Sequence, residues 1–110
     1  MGRKLMGRTE LDRVSEIFKA LSETTRLLIL RELKDGTMSV GELVARLDTS
    51  QANISKQLKT LHDAGLLERN KSGNTVYYSI KEPMVLDMCK LVCDKLNRDS
   101  SADGGIHFEL

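Results

Sequence analysis

Leu47–Ile80 reads LDTSQANISKQLKTLHDAGLLERNKSGNTVYYSI, and its two halves follow different periodicities. In the first half a short turn, Leu47–Gln51, leads into a helical pattern that puts Ile54, Leu58 and Leu61 on one side. At about 100° per residue, Lys56, Lys59 and Asp63 point the opposite way, with Asn53 and Ser55 on the flanks. That outward face is short, polar and mildly basic, with side chains that hydrogen-bond both phosphates and base edges. The second half holds two runs of β-branched and aromatic residues around Lys71-Ser72-Gly73-Asn74, which reads as a hairpin tip. Helix, turn, helix and hairpin together describe a DNA reader with a wing.

Upstream, Thr9 precedes Glu10, Asp12 and an apolar pattern at Val14, Ile17, Phe18 and Leu21, which predicts a first helix. Ser22, Thr25 and Arg26 introduce a second, Leu27–Leu33, apolar around much of its circumference and ended near Gly36. Thr37-Met38-Ser39 is a connector with a residue or two of strand. Ser39 with Glu42 three residues on is a capping box for a third helix, Val40–Leu47. Asp48-Thr49-Ser50 caps the fourth, which Gly65 stops. Pro83 opens a fifth, running to about Leu96. The expected class is therefore mostly α with a small β-hairpin: a winged helix-turn-helix of five helices plus wing over residues 9–96. Residues 1–8 and the polar, Gly-rich 97–110 are expected to be flexible ends.

The chain has 110 residues, enough for one small domain. Aromatic content is 4% with no Trp, so Leu, Ile, Val and Met must build the core, and oligomerisation is a common supplement for so small a fold. Net charge is only +1, but Arg3, Lys4 and Arg8 crowd the start, and Lys56, Lys59, Arg69 and Lys71 cluster around the reading head. No apolar run approaches the roughly 20 residues that cross a bilayer, and no signal-like segment follows the basic start. The expectation is a cytoplasmic protein without membrane contact, its two cysteines resting as thiols. Catalysis is not expected: the only histidines are His62 and His107, and no phosphate loop or nucleophile-and-base pair is visible.

Ala20-Leu21-Ser22-Glu23-Thr24-Thr25-Arg26, Ser50-Gln51 through Ser55, Leu58 and Leu61, Ala64-Gly65-Leu66-Leu67, Gly73 and Tyr77-Tyr78 together resemble the ArsR/SmtB family of winged-helix repressors. The resemblance spans about residues 10–96 and four separate elements in order. It implies a homodimeric repressor that binds a palindromic double-stranded operator and releases it to an inducer, in the family often a metal or metalloid ion, in some members thiol oxidation or a sulfide-derived species. Three departures stand out. Gln57 occupies a position where the family commonly has His, which is expected to alter base preference. Glu42-Leu43-Val44-Ala45 replaces the Cys-Val-Cys metalloid signature, and only Asp87-Met88-Cys89 resembles the start of the family's His-rich zinc pattern.

The expected DNA contacts are Ser50, Gln51, Asn53, Ser55, Lys56, Gln57 and Lys59 on the fourth helix and Lys71, Ser72 and Asn74 on the wing. Gln and Asn pair bidentately with adenine, and Lys favours guanine or phosphate. On the last helix, Val85, Leu86, Val92, Cys93 and Leu96 lie within about 60° of Cys89, with Met84, Met88 and Leu91 on a second apolar flank. So wide an apolar surface needs a second partner, and the same helix of another subunit is the economical one. The expected dimer interface is Ile17, Phe18, Leu21, Val85, Cys89, Val92 and Leu96. Cys89 and Cys93, one helical turn apart, carry three open readings: small core residues, thiolate ligands for arsenite or a soft divalent metal ion, or a redox or persulfide switch. His107 or the other subunit's thiols would supply a third donor.

Overall fold

A computed structural model of the chain describes residues 4–99 and 104–110; Arg3 of the basic start and 100–103 of the expected tail lie outside them. The elements run α1 (Arg8–Ala20), α2 (Thr24–Leu33), β1 (Met38–Ser39), α3 (Val40–Arg46), α4 (Gln51–Asp63), β2 (Leu67–Ser72), β3 (Thr75–Ile80) and α5 (Met84–Arg98).

Local chemistry sets most of these bounds. The Gly7 N–H donates to Glu10 Oε1 at 2.8 Å, so α1 opens at Arg8. Glu23 accepts from the Thr25 N–H at 2.8 Å, which starts α2 three residues before the expected Leu27. The capping box at α3 is reciprocal: Glu42 N–H donates to Ser39 Oγ at 3.1 Å and Ser39 N–H to Glu42 Oε1 at 3.0 Å. Ser50 Oγ accepts from Asn53 N–H at 3.1 Å to begin α4. At its other end Leu66 N–H reaches Leu61 O at 3.1 Å and Gly65 N–H reaches His62 O at 2.9 Å. This Schellman closure needs a left-handed residue, and Gly65 supplies it with φ +78°.

The sheet is antiparallel with strand order β1-β3-β2, so the short strand before α3 pairs with the far edge of the hairpin. Register runs from Leu67↔Ile80 to Ser72↔Thr75 and leaves Gly73-Asn74 as a two-residue turn. Gly73 has φ +61° and Asn74 does not adopt positive φ, the arrangement of a type II′ hairpin. Tyr78 faces the core and its hydroxyl accepts from Arg69 Nε at 3.2 Å, while Tyr77 is half-buried.

Ile29, Leu30, Leu43, Ile54, Leu58, Leu61 and Val85 are fully buried and join α2, α3, α4 and α5 into one core. Residues 104–110 return to α5. The Asn97 side-chain amide donates to Phe108 O at 2.9 Å and accepts from Phe108 N–H at 2.7 Å, and Leu110 packs on the core. Among the described residues no helix is long and apolar enough to cross a membrane.

Two outcomes follow from this packing. Leu58→Ala is expected to lower unfolding free energy by about 3 kcal/mol in urea titrations, because the fully enclosed site cannot collapse around the missing atoms. The Glu42 carboxyl is held below the usual carboxylate range, chiefly by the Ser39 backbone N–H and then by its hydroxyl. A depressed folded value contributes stability above the unfolded value that is lost as pH falls through the folded one. Glu42→Gln keeps the acceptor and drops the charge. It is expected to be less stable than wild type at neutral pH, with the difference vanishing in titrations below about pH 4.

Candidate nucleic-acid interface

Burial divides α4 along its length. Ile54, Leu58 and Leu61 face inward at 0% exposure, and Gln51, Ser55, Lys56 and Lys59 are exposed on the other side. Gln51 lies in the first turn, where the free N–H groups and the helix dipole also attract phosphate. Ser50 is exposed but its hydroxyl is committed to the cap. Lys59 Nζ bonds Asp63 Oδ2 at 2.8 Å; this bond and the charge behind it raise the lysine and lower the aspartate.

Two expected readers are otherwise engaged. Asn53 is half-buried, with Nδ2 donating to Thr49 Oγ1 at 2.9 Å and Oδ1 accepting from Gln57 Nε2 at 3.0 Å. Gln57 does not join the outward face at all. It is 7% exposed and its Oε1 accepts from Arg26 Nη1 at 2.6 Å. Gln57, expected among the DNA contacts, lies instead on the inward half of α4, where its amide oxygen is bonded to α2 and its amide nitrogen to its own helix. Arg26, named in the sequence only at the start of the second helix and in the family motif, is the residue whose contact with α4 helical pattern did not reveal.

The wing follows α4 directly, and its strand β2 contacts that helix. Lys71, Ser72 and Asn74 are exposed, as are Arg69 and Asn70 on the same strand. With Lys56 and Lys59 they provide cations and neutral hydrogen-bonding groups on two adjoining elements, the mixture that grips a phosphate backbone while probing a groove.

The α1 and α5 side of the molecule is apolar and open. Phe18 and Val92 are each 60% exposed and Leu91 is 69% exposed. They border a groove of about 670 Å³ that also takes in Leu21, Met88 and Leu96. Leu21 and Leu96 are half-buried there, and Ile17, also half-buried, packs against the core. Val85, expected at the dimer contact, sits instead in the core of its own subunit, because this end of α5 lies against it, whereas Cys89 is largely buried but lines the groove. Burial, and secondarily Cys93, pushes the Cys89 thiol up. Cys93 is half-buried at the boundary of this groove and a smaller, more polar one containing His107, whose Nε2 lies 3.6 Å from Glu109 Oε2. Among the described residues no three His, Cys, Asp or Glu side chains stand together as a metal site.

A family model described as bacterial regulatory protein, arsR family, matches residues 23–69. The HTH-type transcriptional regulator MJ1325 of Methanocaldococcus jannaschii is 37% identical over 82 residues, 74% of this chain and 92% of that protein. Among solved structures, the AntR antimony-specific transcriptional repressor aligns with TM-score 0.74 and 30% identity over 92% of each chain. The homodimeric winged helix-turn-helix DNA-binding domain of Mb0332 from Mycobacterium bovis aligns with TM-score 0.74 and 27% identity over 98% of each chain.

The open lysines give a direct expectation. Lys56→Ala should weaken binding to every duplex similarly and reduce the slope of log affinity against log salt by about 0.9. Asp63→Asn releases Lys59 and should tighten binding about threefold with a steeper slope. Anisotropy titrations across salt read both effects, and unchanged slopes would place the phosphate contacts elsewhere.

Proposed function

Because the chain belongs to the arsR family of bacterial regulatory proteins, we propose that it is a homodimeric, sequence-specific transcriptional repressor that releases a palindromic operator to an inducer. The observation that carries this reading is the division of α4 into a buried, mainly apolar half and an exposed polar half, followed by a hairpin with exposed Arg69 and Lys71. Gln51 and Ser55 are the free hydrogen-bonding groups for base edges, Lys56 and Lys59 bind phosphate, and Lys71, Ser72 and Asn74 of the wing hold the flanking backbone.

Dimerisation is favoured by the open groove between α1 and α5. Exposed Phe18, Leu91 and Val92 form a patch that a second copy covers across a two-fold axis, with Leu21 and Leu96 at its edges and Ile17 half-buried one residue before Phe18. Two α4 helices then enter successive major grooves about one helical turn apart. The structurally similar domain of Mb0332 is a homodimer, which supports the same assembly here.

The inducer is proposed to act at Cys89 and Cys93, beneath that seam. A soft ion such as arsenite or a soft divalent metal suits two thiols one turn apart, and AntR, similar in structure, is an antimony-specific repressor. Each subunit supplies two such donors on adjacent turns, so the third comes across the seam. A divalent metal displaces the thiol protons, the raised Cys89 proton among them, so its affinity rises with pH, whereas arsenite, As(OH)3, exchanges its hydroxides for thiols with release of water and no net proton. An ion bridging the subunits rotates one reading head against the other and spoils simultaneous docking. The setting is the cytoplasm, where the operator is and where thiols rest reduced.

Sedimentation is expected to give twice the mass of one chain, and Leu91→Asp with Val92→Asp to give single chains that lose operator binding about 100-fold or more. Gel shifts at two salt concentrations are expected to show duplex affinity falling steeply with salt. Arsenite is expected to release the native protein and not the Cys89→Ser, Cys93→Ser variant. Duplex binding that is absent at low salt would favour a winged-helix protein-interaction module instead, and equal release of the Ser variant would remove the thiols from sensing.

A further inference from the structure

A chain of hydrogen bonds runs unbroken from the end of α1 to the reading helix. At the last turn of α1, Lys19 O accepts from Arg26 Nη2 at 3.0 Å and Ala20 O accepts from Arg26 Nε at 2.8 Å. Arg26 Nη1 donates to Gln57 Oε1 at 2.6 Å, Gln57 Nε2 to Asn53 Oδ1 at 3.0 Å, and Asn53 Nδ2 to Thr49 Oγ1 at 2.9 Å. The series joins α1, α2, α4 and the turn between α3 and α4, all within one subunit.

This series is stiff. All three guanidinium nitrogens are used, in a fork that is planar and cannot be deprotonated. The Arg26 side chain is 14% exposed and Gln57 is 7% exposed, so breaking one link strands a shielded polar partner. Charge-assisted bonds away from water are also the stronger kind. Ala20 in the core, with Ile17 and Leu21 packed against it, also holds the end of α1, and the polar series adds a directional link from there to α4. Phe18 and Leu21 flank the two α1 carbonyls and border the open groove, so the bracket begins at the proposed seam. It ends on the residue and the turn that set where the exposed half of α4 begins.

We propose that Arg26 and Gln57 are positioning residues: they fix α4 against α1 and thereby decide which spacing of operator half-sites the dimer accepts. The inference rests on the reading of the chain as a dimeric DNA-binding regulator. Neither side chain touches DNA, and their effect passes through the angle of the reading head. Over a lever of about 17 Å, half the distance between half-sites, a rotation of about 10° moves the head by about 3 Å, close to one base-pair step.

The test uses the full chain and an operator duplex that the native protein selects from a random-sequence pool, together with duplexes carrying one base pair more or fewer between the half-sites. The native protein is expected to favour its own spacing about tenfold or more. Gln57→Leu removes both links and fills the buried position with an apolar side chain. It is expected to remain a folded dimer and to bind the three spacings within about threefold of one another. Gln57→His, a neutral side chain with one donor and one acceptor, is expected to restore the preference. Should Gln57→Leu not fold, Arg26→Lys keeps the charge, loses the fork and is read in the same way. Undiminished spacing preference in the folded variant, or an equal loss on all three duplexes, overturns the inference while leaving the regulator reading intact. A native protein that selects no duplex overturns that reading and the inference with it.

Discussion

Everything outward on this molecule depends on three side chains pointing inward. Ile54, Leu58 and Leu61 have no solvent exposure, and they seat α4 on Ile29 and Leu30 of α2 and Leu43 of α3 within one core. Each such burial contributes about 1.5–3 kcal/mol, so turning the helix by one residue, about 100°, would expose apolar surface worth several kcal/mol and press Lys56 toward the core. The rotational setting of α4 is therefore fixed, and with it which side chains are free. Buried Gln57 is the one polar member of the inward half, tolerated because Arg26 and Asn53 satisfy both ends of its amide.

Leu and Ile fill most of the core, and a surplus of apolar surface remains open between α1 and α5. In the dimer we propose, that surplus is the joint, and the two cysteines lie below it. Placing a responsive group at a joint is physically economical, because a small change there is multiplied by the distance to each reading head. Cys89, buried and held as the thiol, resists casual chemistry, and half-buried Cys93 is the more open of the two.

Much of this was legible in the sequence because it depends on neighbours in the chain. The Ser39–Glu42 box, the Ser50 cap, the Gly65 stop and the Gly73 turn are spacing rules, and each stands where the spacing put it. The split face of α4 followed from helical periodicity alone. What escaped depends on partners distant in sequence. Gln57 meets Arg26 from 31 positions away, so the pattern placed it with the readers although the fold buries it. Val85 and Cys89 were indistinguishable from Val92 by helical angle. Only the extent of the core along α5 shows that Val85 is enclosed, Cys89 is largely buried at the groove and Val92 is open. The return of Phe108 to Asn97 left no periodic signal, since its bonds are to backbone.

A hydroxyl-radical footprint on a selected operator tests the central claim most directly, that a paired set of α4 helices reads adjoining grooves. Two protected patches are expected on one face of the duplex, centred about 10–10.5 base pairs apart and related by the symmetry of the site. A single patch at saturating protein, or protection spread evenly along the duplex, would contradict that claim.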